Sequence, residues 1–125
     1  MTEIKHPMMR RHLLLALKGL SDPDYQRRVW VEHGTEGTTQ YDEFDLAVHT
    51  LYDDTSPSLA ENPKAQIGYI LRDEAEAAQV AAVVRAIDTI FDKYGLDLTD
   101  AEYIALPEWK DVVAAAKDAR KVIHD

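Results

Sequence analysis

Along most of this chain apolar residues recur three and four positions apart, the repeat of one face of an α-helix. After Pro7, residues Met9, Leu13, Ala16, Leu17 and Leu20 share a face that Leu14 and Leu15 widen. Pro7 suits a first helical turn, where its missing N–H costs nothing. Gly19 stands where a C-terminal cap is expected. Asp22 and Pro23 then form a start signal, a cap followed by a proline at the first helical position. The helix they open runs to about Glu32 and carries Tyr25, Val29 and Trp30. Residues 33–40 have two glycines and no apolar residue, and read as a loop.

The next stretch, Tyr41 to Asp54, organises the rest. Phe44, Ala47, Val48, Leu51 and Tyr52 follow helical spacing and predict a helix from about Asp42 to Tyr52. A surface loop with turn residues follows to Pro63. Residues 65–71 are rich in strand formers, yet a lone strand has no partner here. The expectation for them is a short helix or an extended packing segment. Asp73 and Glu76 have capping-box spacing at the start of the longest helix. Its apolar positions, from Val80 to Tyr94, end at Gly95. About 22 residues at a rise of 1.5 Å make it roughly 33 Å long, the scaffold of the fold. Thr99 and Glu102 give a second capping box. Pro107 opens the last helix, whose Trp109, Val112, Val113, Ala116 and Ile123 face inward, with Ala114-Ala115-Ala116 permitting close helix approach. The pattern predicts one all-α domain over residues 1–125, an irregular bundle of five to six helices.

The predicted central helix has a second face. Asp45, His49 and Asp53 recur every fourth residue and form a polar stripe, each about one turn from the next. Carboxylate, imidazole and carboxylate are metal-ligand types, so Asp45, His49 and Asp53 define one alternative: a metal-binding protein or metal-dependent enzyme. Three ligands over two turns of one helix rarely converge on one ion, and no His-Glu-x-x-His motif occurs. Covalent catalysis lacks a nucleophile. There is no cysteine, and Ser21, Ser56 and Ser58 all sit in turn or cap contexts. Gly34 and Gly37 are not followed by the Lys-Ser/Thr pair of a phosphate-binding loop. No cofactor is implied, and the expectation is a non-enzyme.

Charge sharpens the picture. The net charge of −9 comes from 23 acidic and 14 basic residues, which disfavours nucleic acid as a partner. It is also unevenly spread. Residues 32–63 hold eight carboxylates (Glu32, Glu36, Asp42, Glu43, Asp45, Asp53, Asp54, Glu61) and no Lys or Arg, a net of −8. Residues 1–31 hold six basic and three acidic residues, a net of +3. The bland reading of the acidic window is a solvated face. The sharper one is an electrostatic docking surface for a basic protein partner. Its candidate residues are Tyr41, Asp42, Glu43, Asp45, His49, Asp53 and Asp54. Tyr41, Tyr52 and Tyr69 flank this acidic region, and tyrosines beside carboxylates suit recognition of a Lys/Arg-rich surface. Arg27 and Arg28 offer a third arrangement, pairing internally with the acidic helix. Trp30 and Trp109 read as core. Leu13–Leu17 is too short for a membrane span, and no signal peptide is evident. A cytoplasmic protein without membrane contact is expected.

Asp22-Pro23-Asp24-Tyr25-Gln26-Arg27-Arg28-Val29-Trp30-Val31, Tyr41 through Asp54, Ile67-Gly68-Tyr69-Ile70-Leu71 and Pro107-Glu108-Trp109 together resemble a set of small uncharacterised bacterial proteins common in actinobacteria. The resemblance spans residues 9–122 and brings no activity with it. In type, the chain is also similar to immunity proteins that neutralise secreted toxins: short, acidic, helical and cysteine-free. These likenesses, with the acidic window, imply a non-enzymatic protein-binding domain of immunity type. A self-associating structural protein is the remaining alternative, and it requires an exposed Trp or Tyr patch.

Overall fold

The computed structural model describes residues 4–32, 44–53 and 55–124. Among them are six α-helices and no strand, so the chain is an all-α bundle. Helix α1 (Pro7–Leu20) starts on its proline as expected, and α2 (Pro23–Tyr25) starts on the Asp22 cap, whose Oδ1 accepts from the Tyr25 N–H at 3.1 Å. Helix α3 is Phe44–Tyr52, α4 is Glu74–Tyr94, α5 is Asp100–Ile104 and α6 is Trp109–Val122. The long α4 packs along α6, and α1 packs on both α3 and α6. One apolar cluster runs through all of these contacts, from Leu13 and Leu17 through Leu51 and Ile87 to Val112 and Ala116. Among the described residues no helix is long and apolar enough to cross a membrane.

Four local expectations change. Gly19 does not cap α1. The helix runs on to Leu20, Ser21 closes it, and the buried Gly19 offers its carbonyl to the Gln26 side chain. The second helix is not α-helical to Glu32. After Tyr25 the backbone widens into a π-helix, Gln26–Val31, which carries Gln26, Val29 and Trp30 into the interior. Pro107 precedes α6 by two residues, within a turn. Glu76 does not complete its capping box. Asp73 accepts from the Glu76 N–H at 3.0 Å, but the Glu76 carboxylate is drawn inward to Arg10. The second capping box, Thr99 with Glu102, forms as its sequence predicts. Gly95 also ends α4 as expected, at a φ of 85° that side chains rarely adopt.

Residues 65–71 combine both expectations. A 3₁₀ turn, Pro63–Gln66, leads into an extended Ile67 that bridges to Leu71 around a tight turn. Gly68 makes that turn at a φ of 93°. The chain's N-terminal segment lies along it, with Lys5 N–H to Gly68 O at 3.1 Å and His6 N–H to Tyr69 O at 2.7 Å.

Two polar clusters tie the bundle together inside. The Arg10 guanidinium meets both oxygens of Glu76, at 2.8 and 2.9 Å, and donates to the carbonyls of Ile70 and His124. Both side chains are nearly inaccessible, at 3% and 4% exposure. Glu76 Oε1 also accepts from the Arg72 N–H at 2.7 Å. A buried ion pair is tolerated when both partners are fully hydrogen-bonded, which is the arrangement here. The second cluster is Gln26. Its amide donates to Gly19 O and Leu20 O, and its oxygen accepts from Trp109 Nε1 at 2.8 Å. No buried side-chain nitrogen or oxygen lacks a partner among the described residues.

Candidate functional site

Helix α3 is held from three sides. Its first ring, Phe44, is the hub of an aromatic core: Trp30, Phe91, Tyr103 and Trp109 have centroids 5.1–6.1 Å away. Edge and tilted contacts of this kind are worth about 0.5–1.5 kcal/mol each beyond area burial. Trp30 and Trp109 are both buried in it, as expected. The Phe44 N–H, a free donor at a helix start, is taken by Asp100 Oδ2 at 3.1 Å. At the other end Tyr52 donates from its hydroxyl to Asp88 at 2.7 Å, which fastens α3 to α4. Burial and the adjacent Asp88 carboxylate push the Tyr52 phenol far above its usual range, so it stays neutral and donating. Tyr52 therefore belongs to the inner seam, together with Phe44, Ala47 and Leu51.

The outer side carries the predicted stripe. Asp45, His49 and Asp53 are 67%, 50% and 59% exposed. The structure brings these three together as a chain of contacts along the helix. His49 Nδ1 lies 2.8 Å from Asp53 Oδ2, and Nε2 lies 3.3 Å from Asp45 Oδ2. The imidazole thus bridges the two carboxylates, one nitrogen to each. The hydrogen bond to Asp53, then the charge of Asp45, raise the His49 pKa above its ordinary 6.5. Among the described residues no group of three or more His, Asp or Glu side chains could hold a metal ion. Beside the stripe, Leu46 is an apolar side chain 46% exposed.

The other predicted site residues fall elsewhere. Tyr41, Asp42, Glu43 and Asp54 lie outside the described residues, as does the 33–40 loop. Tyr69 does not join the acidic face. Its ring stacks on His6 at 5.6 Å and lies under the Lys5 ammonium at 5.2 Å. Of the two arginines of the π-helix, Arg27 pairs with Asp24 at 3.3 Å, and Arg28 Nε donates to the Asp24 carbonyl. The Asp100 contact that starts α3 was not foreseen. Asp100 reads in sequence as an ordinary first-turn acid of α5, and it is 56 positions from its partner.

A family model for a domain of unknown function, DUF7945, matches residues 4–125, nearly the whole chain. The chain belongs to the DUF7945 family. Neither the curated proteins nor the solved structures offer a match. Membership in DUF7945 agrees with the resemblance to an uncharacterised family over almost the same span, and assigns no activity. The DUF7945 match begins at residue 4 and takes in the stripe, the aromatic hub and the Arg10–Glu76 pair alike.

Proposed function

We propose that this protein is a non-enzymatic protein-binding domain that docks a basic partner through the outer face of α3 and the acidic segment before it. An immunity-type protein that blocks a toxin in the cytoplasm is the most concrete form. The observation that carries this reading is an exposed Asp45–His49–Asp53 stripe beside an exposed Leu46, inside a 32-residue window without Lys or Arg. Carboxylates on a solvated helix steer a basic surface during approach. An apolar side chain beside them supplies area that can be fully desolvated on contact. The inner face of the same helix is fixed by the aromatic hub, so the outer face is presented in one orientation.

The test is affinity capture with wild-type protein and with the Asp45→Asn/Asp53→Asn variant, followed by binding kinetics on what is retained. A basic protein should be held by wild type, with an association rate that falls as salt rises. The variant should associate more slowly, with a flatter salt dependence. Equal retention by both proteins, with the same salt slope, would overturn the reading.

A further inference from the structure

The acidic face leaves a second surface without a role. A groove of about 590 Å³ runs along α6 between its outer edge and the end of α5. Ile104, Leu106, Trp109 and Val113 supply its apolar lining. Its charged lining is Lys110 and Lys117, with no carboxylate among the described residues. That sign is opposite to the chain as a whole, with its 23 acidic and 14 basic residues. The two lysines are seven positions apart, so they stand two turns, roughly 10 Å, along one edge of α6. Three of the seven lysines take carboxylates: Lys93 takes Glu108, Lys121 takes Asp118 and Lys64 takes Glu74. Lys110 and Lys117, like Lys18, take none among the described residues.

The groove is also built in advance. Trp109 cannot turn out of its wall, because its Nε1 is held by Gln26, whose amide is fixed by two backbone carbonyls. Pro23 and Pro107 line the ends with backbone of restricted φ. Ala114, exposed between the two lysines, leaves room for another backbone to come close.

We propose that this groove docks an amphipathic, acidic helix of a partner protein. Its apolar residues, at helical spacing, would seat on Ile104, Leu106 and Val113, and its Asp or Glu residues two turns apart would meet Lys110 and Lys117. Charge complementarity selects this occupant, and helix-in-groove packing is a recurrent mode for an apolar groove along a helix. The site is separate from α3 and does not depend on the acidic face.

The experiment is a display selection on the whole protein. The probe is a helical peptide library with apolar residues fixed at i, i+3, i+4 and i+7 and randomised flanks. Enriched peptides are then titrated by fluorescence anisotropy. Enrichment of acidic flanks is expected. Ala114→Arg, which fills the groove, should weaken binding by about tenfold or more, and so should Lys110→Glu/Lys117→Glu. Replacing the peptide's acids with lysines should restore binding to the charge-reversed variant. Asp45→Asn/Asp53→Asn should bind as wild type, which separates this site from the α3 reading. Failure to enrich, enrichment of basic flanks, or binding untouched by Ala114→Arg would overturn the proposal. A self-association that Ala114→Arg abolishes would assign the groove to a second copy and overturn it as well.

Discussion

The Arg10–Glu76 pair allows a sharp test of how the bundle is held. Glu76→Gln keeps the volume of the side chain and removes its charge. The guanidinium would then remain almost fully buried, still bonded to the Ile70 and His124 carbonyls but facing a neutral amide oxygen where the carboxylate stood. Breaking a buried pair from one side costs about 3–5 kcal/mol, because the surviving charge loses the carboxylate that offset its desolvation. Natural domains have only about 5–15 kcal/mol in total, so this single atom change should remove a large share of the stability. Removing both charges should cost less. In Arg10→Met/Glu76→Gln the methionine fills the space of the arginine stem, and the main loss is the hydrogen bond to the Ile70 carbonyl, about 1–3 kcal/mol.

Urea unfolding followed by tryptophan fluorescence gives the readout, since Trp30 and Trp109 are both buried. At an m-value near 2 kcal/mol per molar, Glu76→Gln should lower the midpoint by about 1.5–2.5 M. The double variant should recover about half of that shift. The reasoning fails if Glu76→Gln costs less than about 1 kcal/mol, or if the double variant loses the sum of its singles. The first result would mean that water reaches the pair, and the second that the two groups are not coupled.

Two further predictions concern α3. Because hydrogen bonding to Asp53 and the charge of Asp45 raise the His49 pKa, its NMR titration should have a midpoint above 6.5, and Asp53→Asn should lower that midpoint more than Asp45→Asn. The paired imidazolium contributes its stability fully below about pH 6.5 and loses it as pH rises through the raised midpoint; the stripe passes from −1 to −2 over the same interval, so a basic partner should bind more tightly on the alkaline side, and a midpoint at or below 6.5 would refute both statements. Asp100→Ala should free the Phe44 N–H, costing about 1 kcal/mol as other lost helix caps do; hydrogen exchange should accelerate at the Phe44 amide, and an unchanged rate would show that the carboxylate does not hold the start of α3.

The helices with conventional punctuation were legible in the sequence. Pro7, the Asp22–Pro23 start, Gly95 and the Thr99–Glu102 box all act where their chemistry predicts. So does the Asp45–His49–Asp53 stripe, because contacts at i and i+4 are decided by one helix alone. What escaped depends on distant parts of the chain. Gly19 and the π-helix answer to Gln26, a polar side chain buried among carbonyls and a tryptophan, and no local pattern contains that demand. The Arg10–Glu76 pair spans 66 positions. It nevertheless left a trace. Arg10 precedes Leu13, Leu17 and Leu20 on the apolar face of α1, and Glu76 precedes Val80, Val83 and Ile87 on that of α4. A charge on the buried face of each of two helices, opposite in sign, points to a partner inside.

That distinction separates stability from binding on α3. The described contacts that fasten the helix in the fold include Phe44 in the aromatic hub, Tyr52 on Asp88 and the Phe44 amide on Asp100, all at its inner face or its ends. Among the described residues, the ion pairs of Asp45, His49 and Asp53 are with one another. The pairings of His49 with Asp45 and with Asp53 are exposed and lie within one helix, where solvent screens them and they add little to stability. Neutralising both carboxylates therefore leaves the bundle intact while changing the charge of the face by two. A fall in partner association in that variant, at unchanged melting temperature, can be read as electrostatics at a surface. Phe44 offers the contrast, since its truncation would disturb presentation of the stripe through the hub while leaving every charge in place.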